Sequence, residues 1–239
     1  MFRVEHLTKQ FGGLSAVNNI SFAVRRQEIV GLVGPNGSGK TTLFNCISGL
    51  FLPTSGRVFL HDKDITGLKP YQVCKLGIGR TFQLVKPFHS LTSLQNVIVG
   101  LCFGRSKRPP NLEDEAETIL ERVGLVDKAR VQAGQLTLAQ RKKLEIARAL
   151  ATEPELLLLD EVASGLTETE TEEIIAILRK IAQEGVSLLV VEHIMPVIMS
   201  LSDRLLVLSE GCKIADGPPD KVANDKKVIE VYLGEPVIN

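Results

Sequence analysis

Residues 24–41 read VRRQEIVGLVGPNGSGKT, and the parsing of that stretch decides the fold. Its first part, VRRQEIVGLVG (24–34), ends in a short, nearly all-apolar run of the kind found in strands buried on both faces of a parallel sheet. GPNGSGKT (34–41) then fits G-x-x-x-x-G-K-[ST] in full, and TTLFNCISGL (41–50) continues as a helix closed by Gly49. Glycines allow backbone N–H groups to close around phosphate oxygens, and the helix N-terminus adds a favourable dipole. In such a loop Lys40 reaches the β- and γ-phosphates and the Thr41 hydroxyl ligates Mg²⁺. Gly34, Pro35, Asn36, Gly37, Ser38, Gly39, Lys40, Thr41 and Thr42 are therefore the candidate phosphate cradle.

Working outward, LLLLDE (156–161) stands about 120 residues downstream. Four leucines place a buried strand behind Asp160, whose carboxylate at the strand's carboxyl end can hold Mg²⁺ or its water. Glu161 is then placed to polarise an attacking water. Alone, this would be an ordinary buried strand ending in two acids. After a phosphate-binding loop it reads as the metal and catalytic half of one site.

Between and beyond these motifs the chain alternates. GRVFLHDKDI (56–65) reads as a strand with a turn at 61–64, residues 68–76 as a short helix, and GIGRTFQ (77–83) as a strand. From about 84 to 150 helices dominate, over 92–103, 112–123 and 138–151, with GRSKRPPNLEDE (104–115) as an exposed connection. Alternation resumes with strand 156–160, helix 168–183, strand VSLLVVE (186–192), a short helix 194–201 and strand 203–211. KIADGPPDKVAND (213–225) reads as strand, turn and helix, and no internal repeat is evident. Alternating β and α elements predict a mostly parallel α/β sheet with a helical insertion. The acidic run TETETEE (167–173) reads as a solvated first helical turn favoured by the helix dipole.

Composition excludes several classes. Over 239 residues, 28 basic and 28 acidic side chains balance, without the basic excess of a nucleic-acid protein. Cys46, Cys74, Cys102 and Cys212 are scattered with no C-x-x-C spacing, and read as buried reduced thiols of a cytoplasmic protein. The opening MFRVEHLTKQ lacks the apolar run of a signal peptide. No window reaches the ~18–20 apolar residues needed to cross a bilayer, so any work at a membrane requires another chain as anchor.

The chain resembles an ATP-binding cassette (ABC) ATPase subunit over nearly its whole length. RTFQLVKPF (80–88), LTSLQNVIVG (91–100), KLEIARALATEP (143–154), VVEHIM (190–195) and YLGE (232–235) are similar to the ATPase subunits of branched-chain amino-acid importers. The resemblance implies one domain over 1–239 with the P-loop NTPase fold. Residues 1–83 and 151–239 would form the nucleotide-binding α/β core with an N-terminal antiparallel β subdomain, and 84–150 an inserted helical subdomain. It implies ATP and Mg²⁺ as ligands. Carried over by position, Gln83 matches the glutamine that senses Mg²⁺ and links the site to the helical region. His193 matches the γ-phosphate contact, and Phe11 the aromatic that stacks on adenine. Thr137, Ala139 and Gln140 fall in the signature segment, which touches the nucleotide held by a second subunit.

That segment reads LTLAQ (136–140) where the family usually has LSGGQ. Thr137 keeps a hydroxyl and Gln140 is unchanged, while Ala139 puts a methyl where backbone would approach phosphate. Thr167 stands where Asp or Asn is usual, and Val162 where proline commonly follows the catalytic glutamate. These departures lead to the expectation of a functional but weakened half-site.

The implied protein is the ATP-hydrolysing subunit of an importer for branched-chain or other hydrophobic amino acids. Its implied partners are a second ATPase subunit, homo- or heterodimeric, and membrane permease subunits, with no nucleic acid and no direct insertion. Its expected place is cytoplasmic, peripheral on the inner face of the cell membrane. Apolar Leu84, Val85, Pro87, Phe88, Leu91 and Leu94 read as a surface for a permease helix. A GTP-dependent switch would need an N-K-x-D, which is absent, and a soluble ABC ATPase usually carries two cassettes or a coiled-coil insertion. Lipopolysaccharide and urea transporter ATPases remain close alternatives.

Overall fold

Strands that are apolar at every position need cover on both faces, and this chain builds its parallel elements from them. The computed structural model describes residues 1–81, 87–105 and 108–233. In chain order β1 spans Phe2–Phe11, β2 Leu14–Val24, β3 Ile29–Val33, α1 Lys40–Ile47, β4 Ser55–Leu60, β5 Lys63–Asp64, α2 Pro70–Lys75 and β6 Ile78–Arg80. Then follow α3 (Ser93–Phe103), α4 (Leu112–Arg122), α5 (Leu138–Leu150), β7 (Leu156–Asp160), α6 (Glu168–Gln183) and β8 (Ser187–Val191). The chain closes with α7 (Met195–Leu201), β9 (Arg204–Ser209), β10 (Cys212–Gly217), α8 (Pro219–Ala223) and α9 (Lys226–Leu233). These elements fall into two compact units, Met1–Val73 with Ser187–Asn239, and Cys74–Val186.

The first unit holds an antiparallel sheet in the order β2-β1-β4-β5 and, beside it in sequence, strands ordered β10-β9-β3-β8. β3 is parallel to β8, from Ile29 opposite Leu188 to Leu32 opposite Val191, and parallel to β9 on its other side. β10 is antiparallel to β9 and carries a register shift between Lys213 and Ala215. Every residue of β3 and β8 is buried, as their composition predicts. Arg204 ties this unit together: Nε reaches Glu28 Oε1 at 2.7 Å, Nη1 reaches Asp216 Oδ1 at 2.6 Å, and Nη2 donates to the Ala23 carbonyl. Burial pushes the Glu28 carboxyl upward, but hydrogen bonds from Arg204 and the Arg25 amide, with both charges, outweigh it and hold the group below its usual value.

The second unit holds the parallel pair β6-β7, with Ile78 opposite Leu156 and Arg80 opposite Leu158, and the helices α3, α4, α5 and α6. Leu156, Leu157, Leu158 and Leu159 are fully buried. Three helices start on reciprocal capping boxes: Thr92 with Gln95 on α3, Thr137 with Gln140 on α5, and Thr167 with Glu170 on α6. The acidic run is indeed the first turns of α6, with Glu168 and Glu170 in the first. Of the cysteines only Cys46 is fully buried; all four are free thiols, and the other three are half-buried rather than buried as expected.

Candidate nucleotide site

In the first unit, the buried β3 ends at Val33 and releases the glycine-rich loop directly into α1. Gly34 has φ +151°, and a β-carbon there would lie 2.1 Å from the Leu208 carbonyl oxygen of β9. Gly39, at φ +103°, would place one 2.3 Å from the Ala16 carbonyl oxygen. Both ends of the loop are thus pinned against neighbouring backbone, and only glycine fits. Ser38 is buried and its carbonyl accepts from the Gly211 amide at 3.1 Å, while Asn36 and Gly37 form an exposed crown. The Lys40 ammonium bends back over the loop, donating to the Gly34 and Pro35 carbonyls at 2.7 and 2.8 Å and to Ser38 Oγ at 3.3 Å. Thr41 is exposed at the first turn of α1, beside half-buried Thr42.

His193 follows β8 by two residues and is exposed. Because β8 runs parallel to β3, His193 and the loop leave the sheet at the same edge. That edge is where ligands bind in open α/β sheets, outside the carboxyl ends of the strands. Phe11 ends β1 and is half-exposed, its ring edge-on to Phe51 at 5.4 Å and the Lys9 ammonium 4.9 Å from its centroid. One ring is thus propped in place with surface left to stack.

In the second unit, Asp160 ends β7 and is buried. Its N–H donates to Thr81 Oγ1 at 3.2 Å, and its Oδ2 lies 3.7 Å from the Arg80 guanidinium. Burial pushes Arg80 below its usual value and the Asp160 charge opposes that. Glu161 follows with φ +50°, a left-handed conformation uncommon outside glycine. Buried Lys142 donates to the Glu161 carbonyl at 2.6 Å. Neither Arg80 nor Lys142 was expected at the site. Lys142 sits in RKK, which reads as a solvated helix face, and Arg80's only signal is a lone cation inside a strand.

The signature segment opens α5. Thr137 Oγ1 accepts from the Gln140 amide at 3.3 Å, and Gln140 Oε1 accepts from the Thr137 amide at 3.1 Å. Ala139 is buried, whereas Leu138 beside it is 40% exposed. Thr167 is likewise an N-cap, a position that Ser, Thr, Asp and Asn share. Gln83 lies outside the described residues, as do Leu84 and Val85.

These donors fit a magnesium nucleotide. Lys40 already faces carbonyl oxygens that a phosphate can replace. Among the described residues no group of three or more His, Cys, Asp or Glu could hold a metal. Mg²⁺ does not need one: it is commonly held by one or two carboxylates, water and substrate phosphates. Thr41 in the first unit and Asp160 in the second each offer a hard oxygen donor of that kind.

A phosphate-binding loop on a parallel sheet, with an Asp-Glu pair closing a buried strand, defines a P-loop nucleotide hydrolase. Comparison with known proteins narrows this. A family model described as ABC transporter matches residues 17–164, and one described as branched-chain amino acid ATP-binding cassette transporter matches residues 212–238. The chain is 40% identical, over 98% of both chains, to the high-affinity branched-chain amino acid transport ATP-binding protein LivG of Salmonella typhimurium. It is 38% identical, again over 98% of both, to BraF of Pseudomonas aeruginosa, which carries the same description. A solved ATP-binding cassette of an ABC transporter in its ADP conformation superposes with a TM-score of 0.89 at 33% identity, covering 98% of this chain and 99% of that one. A cassette in a dimeric post-hydrolysis state with ADP and Pi gives 0.81 at 28% identity, covering 92% and 99%. The chain belongs to the ABC transporter family and is its ATP-hydrolysing, nucleotide-binding cassette. Among the described residues no helix is long and apolar enough to cross a membrane.

Proposed function

We propose that this chain powers the import of branched-chain or other hydrophobic amino acids by hydrolysing ATP beside partner permease subunits. The observation that carries this reading is the match of residues 212–238 to a branched-chain cassette model, joined to 40% identity with LivG along 98% of the chain. The protein works as a dimer of cassettes, peripheral on the inner face of the cell membrane and held there by the permease. Residues 84–150 act as the helical subdomain that meets it.

In this reading the backbone N–H groups of Asn36–Gly39 and the α1 N-terminus hold the β-phosphate, and Lys40 neutralises charge shared between β and γ. Phe11 stacks on adenine, while Thr41, Asp160 and Gln83 would hold Mg²⁺ directly or through water. Mg²⁺, when bound, would neutralise negative charge on the phosphates as the γ-phosphorus–oxygen bond breaks. Glu161 polarises the attacking water, and His193 donates to the γ-phosphate as charge gathers there. Thr137, Ala139 and Gln140 face the nucleotide of the second cassette. The test is copurification with a permease and its binding protein in vesicles. ATP turnover should rise with leucine, isoleucine or valine and stay basal with lipopolysaccharide or urea; stimulation by the latter would reassign the cargo.

A further inference from the structure

One buried cation joins the first turns of α5 to the main chain of Glu161. Three consecutive cations, Arg141, Lys142 and Lys143, have separate tasks. Arg141 Nε donates to the Leu136 carbonyl at 3.0 Å, and Lys143 pairs with Glu173 on α6 at 2.6 Å. Lys142 is only 6% exposed, and its ammonium donates to the Glu161 carbonyl at 2.6 Å. A lysine at a solvated helix position would keep its charge in water. Burying an ammonium is costly unless acceptors meet it, so this placement is informative. At the other end of the bond, the left-handed φ of +50° at Glu161 is strained for a residue with a β-carbon. Such conformations persist where the surroundings over-determine them.

We infer that Lys142 is a positioning residue for Glu161. By fixing the carbonyl it fixes the peptide plane after Glu161, and with it the direction in which the carboxylate leaves the backbone. A shift in that plane turns the carboxylate away from any water it serves while leaving the glycine loop untouched. The inference rests on the reading of Glu161 as the water-polarising group. It adds that the start of α5, a few residues after the Thr137 cap, is mechanically tied to that group.

The test uses the full-length chain carrying Lys142→Met, Lys142→Gln or Lys142→Arg, alongside Glu161→Gln. Lys142→Met should lower kcat about tenfold or more, the scale on which small misplacements act. KM for ATP and the affinity for a fluorescent ATP analogue should stay within about twofold, since ground-state binding is untouched. Amide exchange over Val162–Ser164 should quicken, and Lys142→Arg should recover most of the turnover. In the Glu161→Gln background Lys142→Met should cost nothing further. Full turnover in Lys142→Met, with Glu161→Gln defective, overturns the positioning role and leaves the role of Glu161 standing. Full turnover in Glu161→Gln removes the reading beneath it. If the Met variant does not fold, Lys142→Gln serves under the same criteria; failure of both to fold makes Lys142 a structural strut and overturns the inference.

Discussion

Thr137, Ala139 and Lys40 show how a single position can be misjudged or well judged from its letter. Thr137 differs from the common serine of its motif, yet either hydroxyl caps a helix. Thr137→Ser should therefore leave stability unchanged, whereas Thr137→Val removes the cap and should cost about 1 kcal/mol, read from denaturant melts. Ala139 is buried in α5, so Ala139→Gly loses helix propensity, up to about 1 kcal/mol, as well as buried contact. Restoring the common signature should thus lower the melting temperature, a cost the family comparison alone does not reveal. For Lys40, a charged hydrogen bond contributes about 1.5–3 kcal/mol, so Lys40→Ala should weaken ATP binding by roughly one to two orders of magnitude. Equilibrium titration measures this; unchanged affinity would remove the lysine from the phosphate site.

At the scale of elements, the strand starts of the first unit depend on the Glu28–Arg204–Asp216 cluster. Glu28 has its pKa lowered from 4.5 in the folded state. Its contribution to stability is therefore complete above that value and is lost as pH falls through the lower folded value. Glu28→Gln should melt earlier than the parent at neutral pH, and the gap should close as acid protonates the parent's carboxyl; a gap constant with pH would contradict this. The same scale shows what was legible. β3, β7 and β8 could be read because burial on both faces leaves unbroken apolar runs. α6 was read with both ends correct because its cap, acidic first turn and apolar stripe agree. The β1–β2 hairpin was not readable from alternation, because register shifts between Val4 and Leu7 and again before Lys9 and Gln10 break the two-residue period; only resemblance supplied it. α9 was likewise missed. The glycine loop and the Asp160-Glu161 pair were legible as local motifs, whereas Lys142 and Arg80 were not, since a cation's burial is decided by distant packing.

For the whole molecule, the likeness to LivG at 40% identity runs along 98% of both chains. In the proposed function the candidate site residues face nucleotide, which leaves the choice of cargo to the permease and its binding protein. Coupling must then pass through surface. Phe88 is 45% exposed, with the Arg148 guanidinium 5.0 Å from its ring centroid. Its backbone is clamped on both sides by buried Asn96, which accepts from the Phe88 amide at 2.9 Å and donates to its carbonyl at 3.1 Å. Phe88→Asp should accordingly fold, keep basal ATPase and lose transport in vesicles; loss of basal turnover as well would contradict a coupling role. The central claim, that this cassette cleaves ATP with Glu161 as the water-polarising group, is tested most directly by phosphate release from the purified chain with Glu161→Gln. The variant should bind ATP as the parent does and release phosphate at least about a hundredfold more slowly, the range of losses for a positioned acid–base group. Phosphate release at the parent's rate would contradict it.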